Sequence, residues 1–176
     1  MALGAYASFG MATVVGDVDD AKMRFAGGFG AYFDYYLSEM LAIDAGVRMV
    51  GKGYRLEMDP DDMKAKALYL GIPLGVKLNF SGFQAGVAVE VALALSGKTV
   101  VGDDEADWED EMWDHHSRFN LGPMITLGYA IPIGPMAIVP GASWSMHLLN
   151  DAKDTPDDSA SRYMNIMFNL GVELPL

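Results

Sequence analysis

Between residues 68 and 95 the chain reads LYLGIPLGVKLNF, then Ser81-Gly82, then FQAGVAVEVALAL. Every second residue before the Ser-Gly pair is large and apolar: Leu68, Leu70, Ile72, Leu74, Val76, Leu78 and Phe80. Phe83, Val87, Val89, Val91, Leu93 and Leu95 continue the ladder after it, with Ala85 the one small member. A strict period of two is the signature of β-strands, because successive side chains point to opposite faces. A two-residue Ser-Gly connection predicts a tight hairpin, with glycine supplying positive φ.

The second face of this hairpin decides its surroundings. It carries Tyr69, Gly71, Pro73, Gly75, Lys77, Asn79, Gln84, Gly86, Ala88, Glu90, Ala92 and Ala94. A strand face in water usually carries Lys, Glu, Thr and Gln. Glycine and alanine have poor β propensity and gain nothing from solvent. With the large apolar face toward lipid, the small face fills a narrow barrel interior. The alternative is a soluble lipocalin-like barrel, which needs an apolar interior, and the pattern opposes it.

The rest of the chain repeats the pattern. Strands are predicted at about 2–15, 23–37, 41–55, 119–131, 136–149 and 162–174, around the hairpin. The longest uncharged run, 119–150, holds four prolines and four glycines, a density that excludes a helical hairpin. The expectation is all-β: a single domain over 1–176 forming an eight-stranded antiparallel up-and-down transmembrane β-barrel. Connections alternate long, short, long, with both termini on the short side. Outer-membrane barrels show this asymmetry, with short periplasmic turns and longer outside loops. It places the long loops outside a Gram-negative cell and the termini in the periplasm. Met1 leads straight into strand-like sequence with no signal peptide before it, which reads as a mature form.

Aromatic placement points the same way. Phe33, Tyr35, Phe80, Phe83 and Tyr129 lie on the apolar face near short turns, as one interfacial girdle would. Phe25, Phe119 and Trp144 lie nearer the long loops.

Of the 24 acidic residues, 19 fall in the four long loops, which leaves few for the strands. Four of the remaining five, Asp34, Asp44, Glu90 and Glu173, fall on the small face beside Arg24, Arg48, Lys52 and Lys77. Buried charges require partners. These eight residues are therefore read as a structural charge network inside the barrel, with no catalytic role. With a two-residue turn Lys77 faces Gly86, too far from Glu90 to pair with it. The expectation is one shared network in which no charge stands alone, with Arg48 a candidate partner.

The run Tyr69-Leu70-Gly71-Ile72-Pro73-Leu74, continuing Val76-Lys77-Leu78-Asn79-Phe80, resembles the PorT-like outer-membrane β-barrel family. The hairpin after it, the ladder over 23–52 and the Asn-containing last strand share the likeness. The resemblance implies a small barrel of OmpA or OmpX shape and a link to secretion or envelope assembly. The chain departs from such barrels at its end, Glu-Leu-Pro-Leu, where they end in an aromatic residue.

Other chemistry is weakly signalled. A net charge of −12 argues against nucleic acid as a partner. No cysteine is present, so thiol chemistry is excluded. The acidic stretch 103–116 lacks the spacing of an EF-hand and reads as a solvated loop. Ser143, Ser145 and His147 share the small face, which raises a lipid A-modifying enzyme as an alternative, but no orienting acid accompanies them. No cofactor or metal is expected. The expected partners are membrane lipid and lipopolysaccharide, with envelope or secretion proteins at the loops, and the barrel is expected to be monomeric. Pro73, Pro123 and Pro140 fall inside strands, where bulges or strand ends are expected.

Overall fold

The computed structural model describes residues 1–16, 21–57, 61–102, 104–108, 116–150 and 161–176. Its strands are β1 (Ala2–Gly16), β2 (Ala21–Lys22), β3 (Arg24–Tyr36), β4 (Leu41–Leu56), β5 (Met63–Phe80) and β6 (Phe83–Val101). They continue with β7 (Asp104–Asp107), β8 (Phe119–Tyr129), β9 (Ile131–Ile133), β10 (Met136–Met146) and β11 (Ser161–Pro175). The eight long strands pair in the order β1, β3, β4, β5, β6, β8, β10, β11, and β11 pairs back onto β1. Every pairing is antiparallel, so the sheet closes on itself as an up-and-down β-barrel. Closure leaves the long strands without free edges.

At the central hairpin Phe80 pairs with Phe83 and Lys77 faces Gly86. Ser81 (φ 49°) and Gly82 (φ 88°) both take positive φ. That is the type I′ geometry whose twist matches the flanking strands. The expected glycine conformation is there, and serine shares it.

The prolines correct one expectation. Pro73, Pro123 and Pro140 sit in register opposite Glu90, Val89 and Leu170, with no bulge at any of them. Instead the ladder to the other neighbour lapses. The β4–β5 register skips from Ala45↔Leu74 to Arg48↔Gly71, and the β8–β10 register runs only from Gly141↔Gly128 to Ser145↔Met124. A strand residue donates its amide to one neighbour only, so a missing donor disturbs one side. The irregularity in β5–β6 falls at Leu68/Tyr69 instead.

Side-chain placement is the reverse of a soluble protein. Leu74, Phe80, Phe83, Val89, Leu127 and Phe168 are each more than half exposed, while Lys52 and Asp34 are fully buried. Seven outward apolar residues of β5, from Leu68 to Phe80, span roughly 40 Å along the strand at ~3.3 Å per residue. A tilt of ~45° reduces that to roughly 28 Å, close to the ~25 Å apolar band of a membrane barrel.

Strand lengths are uneven. β5 and β6 have 18 and 19 residues, while β8 and β10 have 11 each. About 9–11 residues suffice to cross. The β5–β6 hairpin therefore stands above the membrane on the long-loop side, five residues longer at the start of β5 than its apolar ladder predicts. There Lys22 of β2 pairs with Arg55 of β4, and β7 lies along Lys98–Val101 of β6. β7 falls within the stretch expected to be loop.

Candidate functional site

The barrel interior is the polar centre of the molecule. Glycine and alanine keep it open enough for long side chains. A Cβ on Gly71 would meet the Glu90 carboxylate at 2.6 Å, so the small residue there is what admits the glutamate. Eight interior charges, four cationic and four anionic, cancel: Arg24, Arg48, Lys52 and Lys77 against Asp34, Asp44, Glu90 and Glu173.

The structure sorts them into layers. In the middle, Glu90 of β6 accepts from Arg48 Nε of β4, and Lys52 Nζ lies 3.3 Å from its other oxygen. Arg48 Nη2 donates to Ser145 Oγ at 2.9 Å. Lys52 Nζ is 2.7 Å from His147 Nε2. An ammonium can only donate, so the imidazole nitrogen is the acceptor. His147 packs edge-on against Tyr69 at 5.0 Å.

Toward the short turns, Asp34 and Asp44 face each other across β3 and β4. Two carboxylates so placed repel. Lys77 Nζ sits between them, 2.7 Å from Asp34 and 3.0 Å from Asp44, and lies 4.0 Å over the Tyr32 ring. A cavity of about 80 Å³ adjoins this layer, lined among others by Tyr6, Tyr32, Asp44, Lys77, Gln84 and Asn169. It has room for several waters at roughly 10–15 Å³ each.

The single shared network expected from sequence is therefore two ionic clusters. Arg48, Lys52 and Glu90 form one; Asp34, Asp44 and Lys77 form the other. Glu173 joins neither: Tyr32 Oη and Gln84 Nε2 donate to it at 2.9 and 3.0 Å. Among the described residues it has no cationic partner, so neutral donors compensate it. Among the described residues Arg24 donates to the Lys52 carbonyl at 3.0 Å rather than to a carboxylate. The physical reason is reach. Arg48 and Lys52 lie further along β4 from the short turn than Asp44, and among the described residues no ion pair links the two groups. Ser145, His147, Tyr32 and Gln84 were the partners that the sequence reading did not assign. Their small-face parity was the available signal.

Toward the long loops the interior becomes apolar and aromatic. Tyr69, Tyr163 and Trp108 are buried against Ala12, Val50, Ala67 and Met167. Trp108 covers Gly97 and donates to Thr99 Oγ1 at 2.8 Å, and His116 stacks on it at 4.4 Å.

Two alternative chemistries can be located. Ser145 and His147 are 2% and 1% exposed and point inward, away from any lipid substrate. Ser145 is engaged by Arg48 and His147 by Lys52. Most of the acidic stretch 103–116 lies outside the described residues, as do the acidic segments 17–20, 58–60 and 151–160.

No protein-family description matches the sequence, and no curated protein matches it. Solved structures do match in shape. Neisserial surface protein A (NspA) superposes with a TM-score of 0.60 at 12% identity, over 100% of this chain and 99% of that one. Ail, the attachment invasion locus protein of Yersinia pestis, solved with the heparin analogue sucrose octasulfate, gives 0.53 at 13% identity, over 98% of both chains. These likenesses carry the architecture and do not reach the narrower PorT-like assignment. With its closed ring of eight strands, apolar exterior and charged interior, the chain has the fold of the small transmembrane β-barrels of outer membranes.

Proposed function

We propose that the protein is an integral outer-membrane β-barrel with a structural or interaction role, its long loops outside the cell and its termini in the periplasm. The observation that carries this reading is the inversion of polarity: charges at the centre and a continuous apolar belt outside. Loop length supports the orientation, with short connections such as Ser81-Gly82 on the periplasmic side and long ones such as 102–118 outside.

The packed interior opposes a general porin, since an eight-stranded ring is wide enough only for side chains. A charged interior opposes a lipocalin-like ligand site. The inward, occupied Ser145 and His147 oppose a lipid A-modifying enzyme, so the role is read as non-enzymatic and free of cofactors. Lipid and lipopolysaccharide cover the belt, the barrel is monomeric, and envelope or secretion proteins are the partners at the loops. The stretch from Tyr69 to Phe80 supports a narrower reading as a PorT-like barrel that assists secretion or envelope assembly.

Protease added to intact cells tests the placement. Cleavage is expected in the 103–116 segment, with Ser81-Gly82 protected. Cleavage at Ser81-Gly82 with all long segments protected would reverse the orientation. A protein that stays folded and monodisperse without detergent would overturn the membrane reading.

A further inference from the structure

Above the apolar belt, on the outward face, five cations gather on four neighbouring strands. Lys22 of β2 faces Arg55 of β4, which faces Lys64 of β5. Two residues closer to the membrane, Lys66 of β5 faces Lys98 of β6. Their outward direction follows from the alternating Ala65, Ala67 and Gly97, which are buried. Lys66 is the first outward position above Leu68, where the apolar ladder of β5 ends.

Like charges directly opposite one another on paired strands repel. This patch contains three such pairs. Carboxylates offset them only in part. Arg55 lies 2.8 Å from Asp62 and 3.5 Å from Glu57, which also pairs with Lys22. Lys66 and Lys98 reach Glu105 at 3.7 and 3.6 Å, and Lys98 reaches Asp107 at 3.3 Å. Exposed pairs of this kind are worth little and yield readily to a stronger anion. Among the described residues the five cations share four ion-paired carboxylates, and Lys64 takes none of them.

We propose that this face binds the phosphate of a phosphorylated outer-leaflet glycolipid, with Lys64, Lys66 and Lys98 as its phosphate ligands. The lipid's acyl chains continue down over Leu68, Leu70, Leu93 and Leu95. Charge complementarity selects the phosphate, and direct continuity with the lipid-facing belt selects a lipid as its carrier. The geometry confines the site to one flank of the barrel, over β2, β4, β5 and β6. The inference rests on the outer-membrane reading above.

Native mass spectrometry from a maltoside detergent tests it, with bisphosphorylated lipid A as the probe. Parent barrel is expected to hold the lipid, and to hold its dephosphorylated counterpart much less. The triple variant K64Q/K66Q/K98Q is expected to bind the phosphorylated lipid about tenfold or more weakly. Equal binding by parent and triple variant, or equal binding of the two lipids by the parent, would overturn the proposal. If the triple variant does not fold, salt added to the parent decides. Loss of the adduct with rising ionic strength supports phosphate binding, and insensitivity to salt overturns it. Insertion of both proteins into phosphatidylcholine bilayers without lipid A is scored separately. Failure there would sink the membrane reading itself, while normal insertion with unaltered lipid A binding would sink only this site.

Discussion

Replacing Glu90 with glutamine is expected to lower the stability of the folded barrel by about 3 kcal/mol, measured by denaturant titration in a lipid bilayer. Glu90 is 2% exposed and lies between Arg48 (4%) and Lys52 (0%), and among the described residues it is the carboxylate that holds both. Glutamine keeps the shape and one acceptor but removes the charge. Two buried cations then lose the carboxylate that lies between them, which is where the cost arises. A second substitution shows the origin of the loss. In an Arg48→Met background, Glu90→Gln should cost much less, because one cation rather than two then loses the Glu90 carboxylate. The double-mutant cycle reads that coupling directly. An unchanged midpoint for Glu90→Gln alone would mean that water reaches the carboxylate, and that the interior is a wet cavity rather than a packed one.

The other large effect is expected on the outer face. Leu74 lies at the middle of the β5 ladder, is 60% exposed, and pairs with Val89. In a water-facing protein an arginine at such a position would change stability by about 0.5 kcal/mol or less. At the midplane of a bilayer the same change costs about 2–4 kcal/mol, falling to about 0–1 near the interfaces. Leu74→Arg should therefore be strongly destabilising in a bilayer, and Phe80→Arg, beside the short Ser81-Gly82 turn, much less so. The dependence on depth matters more than either value, since packing defects alone would not follow height in the membrane. Equal costs at Leu74 and Phe80 would contradict a lipid-facing belt.

Much of this architecture is legible in the sequence because a membrane barrel writes its two faces into alternate residues. The parity of Leu68, Leu70 and Ile72 against Tyr69, Gly71 and Pro73 is enough to orient β5. The hairpin register follows from the two-residue turn alone, and the placement of Lys77 opposite Gly86 follows from the register. What parity does not contain is height and reach across the lumen. Glu90 and Lys77 share the small face, yet they lie in different layers and take different partners. Partner choice across the barrel depends on strand tilt and shear, which no single strand records. The same limit explains Glu173, where Tyr32 and Gln84 replace the expected cation.

Strand ends are the second gap. The ladder of β5 stops at Leu68, but the strand runs on to Met63 because hydrogen bonding to β4 and β6 persists above the lipid, where no apolar pattern is required. β7 was hidden for a related reason. Asp104, Glu105 and Asp107 read as solvated loop, and acidic side chains are also what protects an exposed sheet edge from pairing with other chains. Pro73, Pro123 and Pro140 show a third kind of miss. Proline within a strand suggests a distortion of the strand, but closure gives each strand two neighbours, and here the loss falls on one side while the other stays in register.

The polarity inversion itself can be measured residue by residue. The chain has no native cysteine, so single cysteines can be placed along β6 from residue 87 to 95 and spin-labelled in a bilayer. Collision with dissolved oxygen, which concentrates in lipid, should peak at Val87, Val89, Val91 and Leu93. A water-soluble nickel reagent should reach none of these four positions. Free access of the nickel reagent at Val89 and Val91, equal to that at the exposed Val101, would contradict the account.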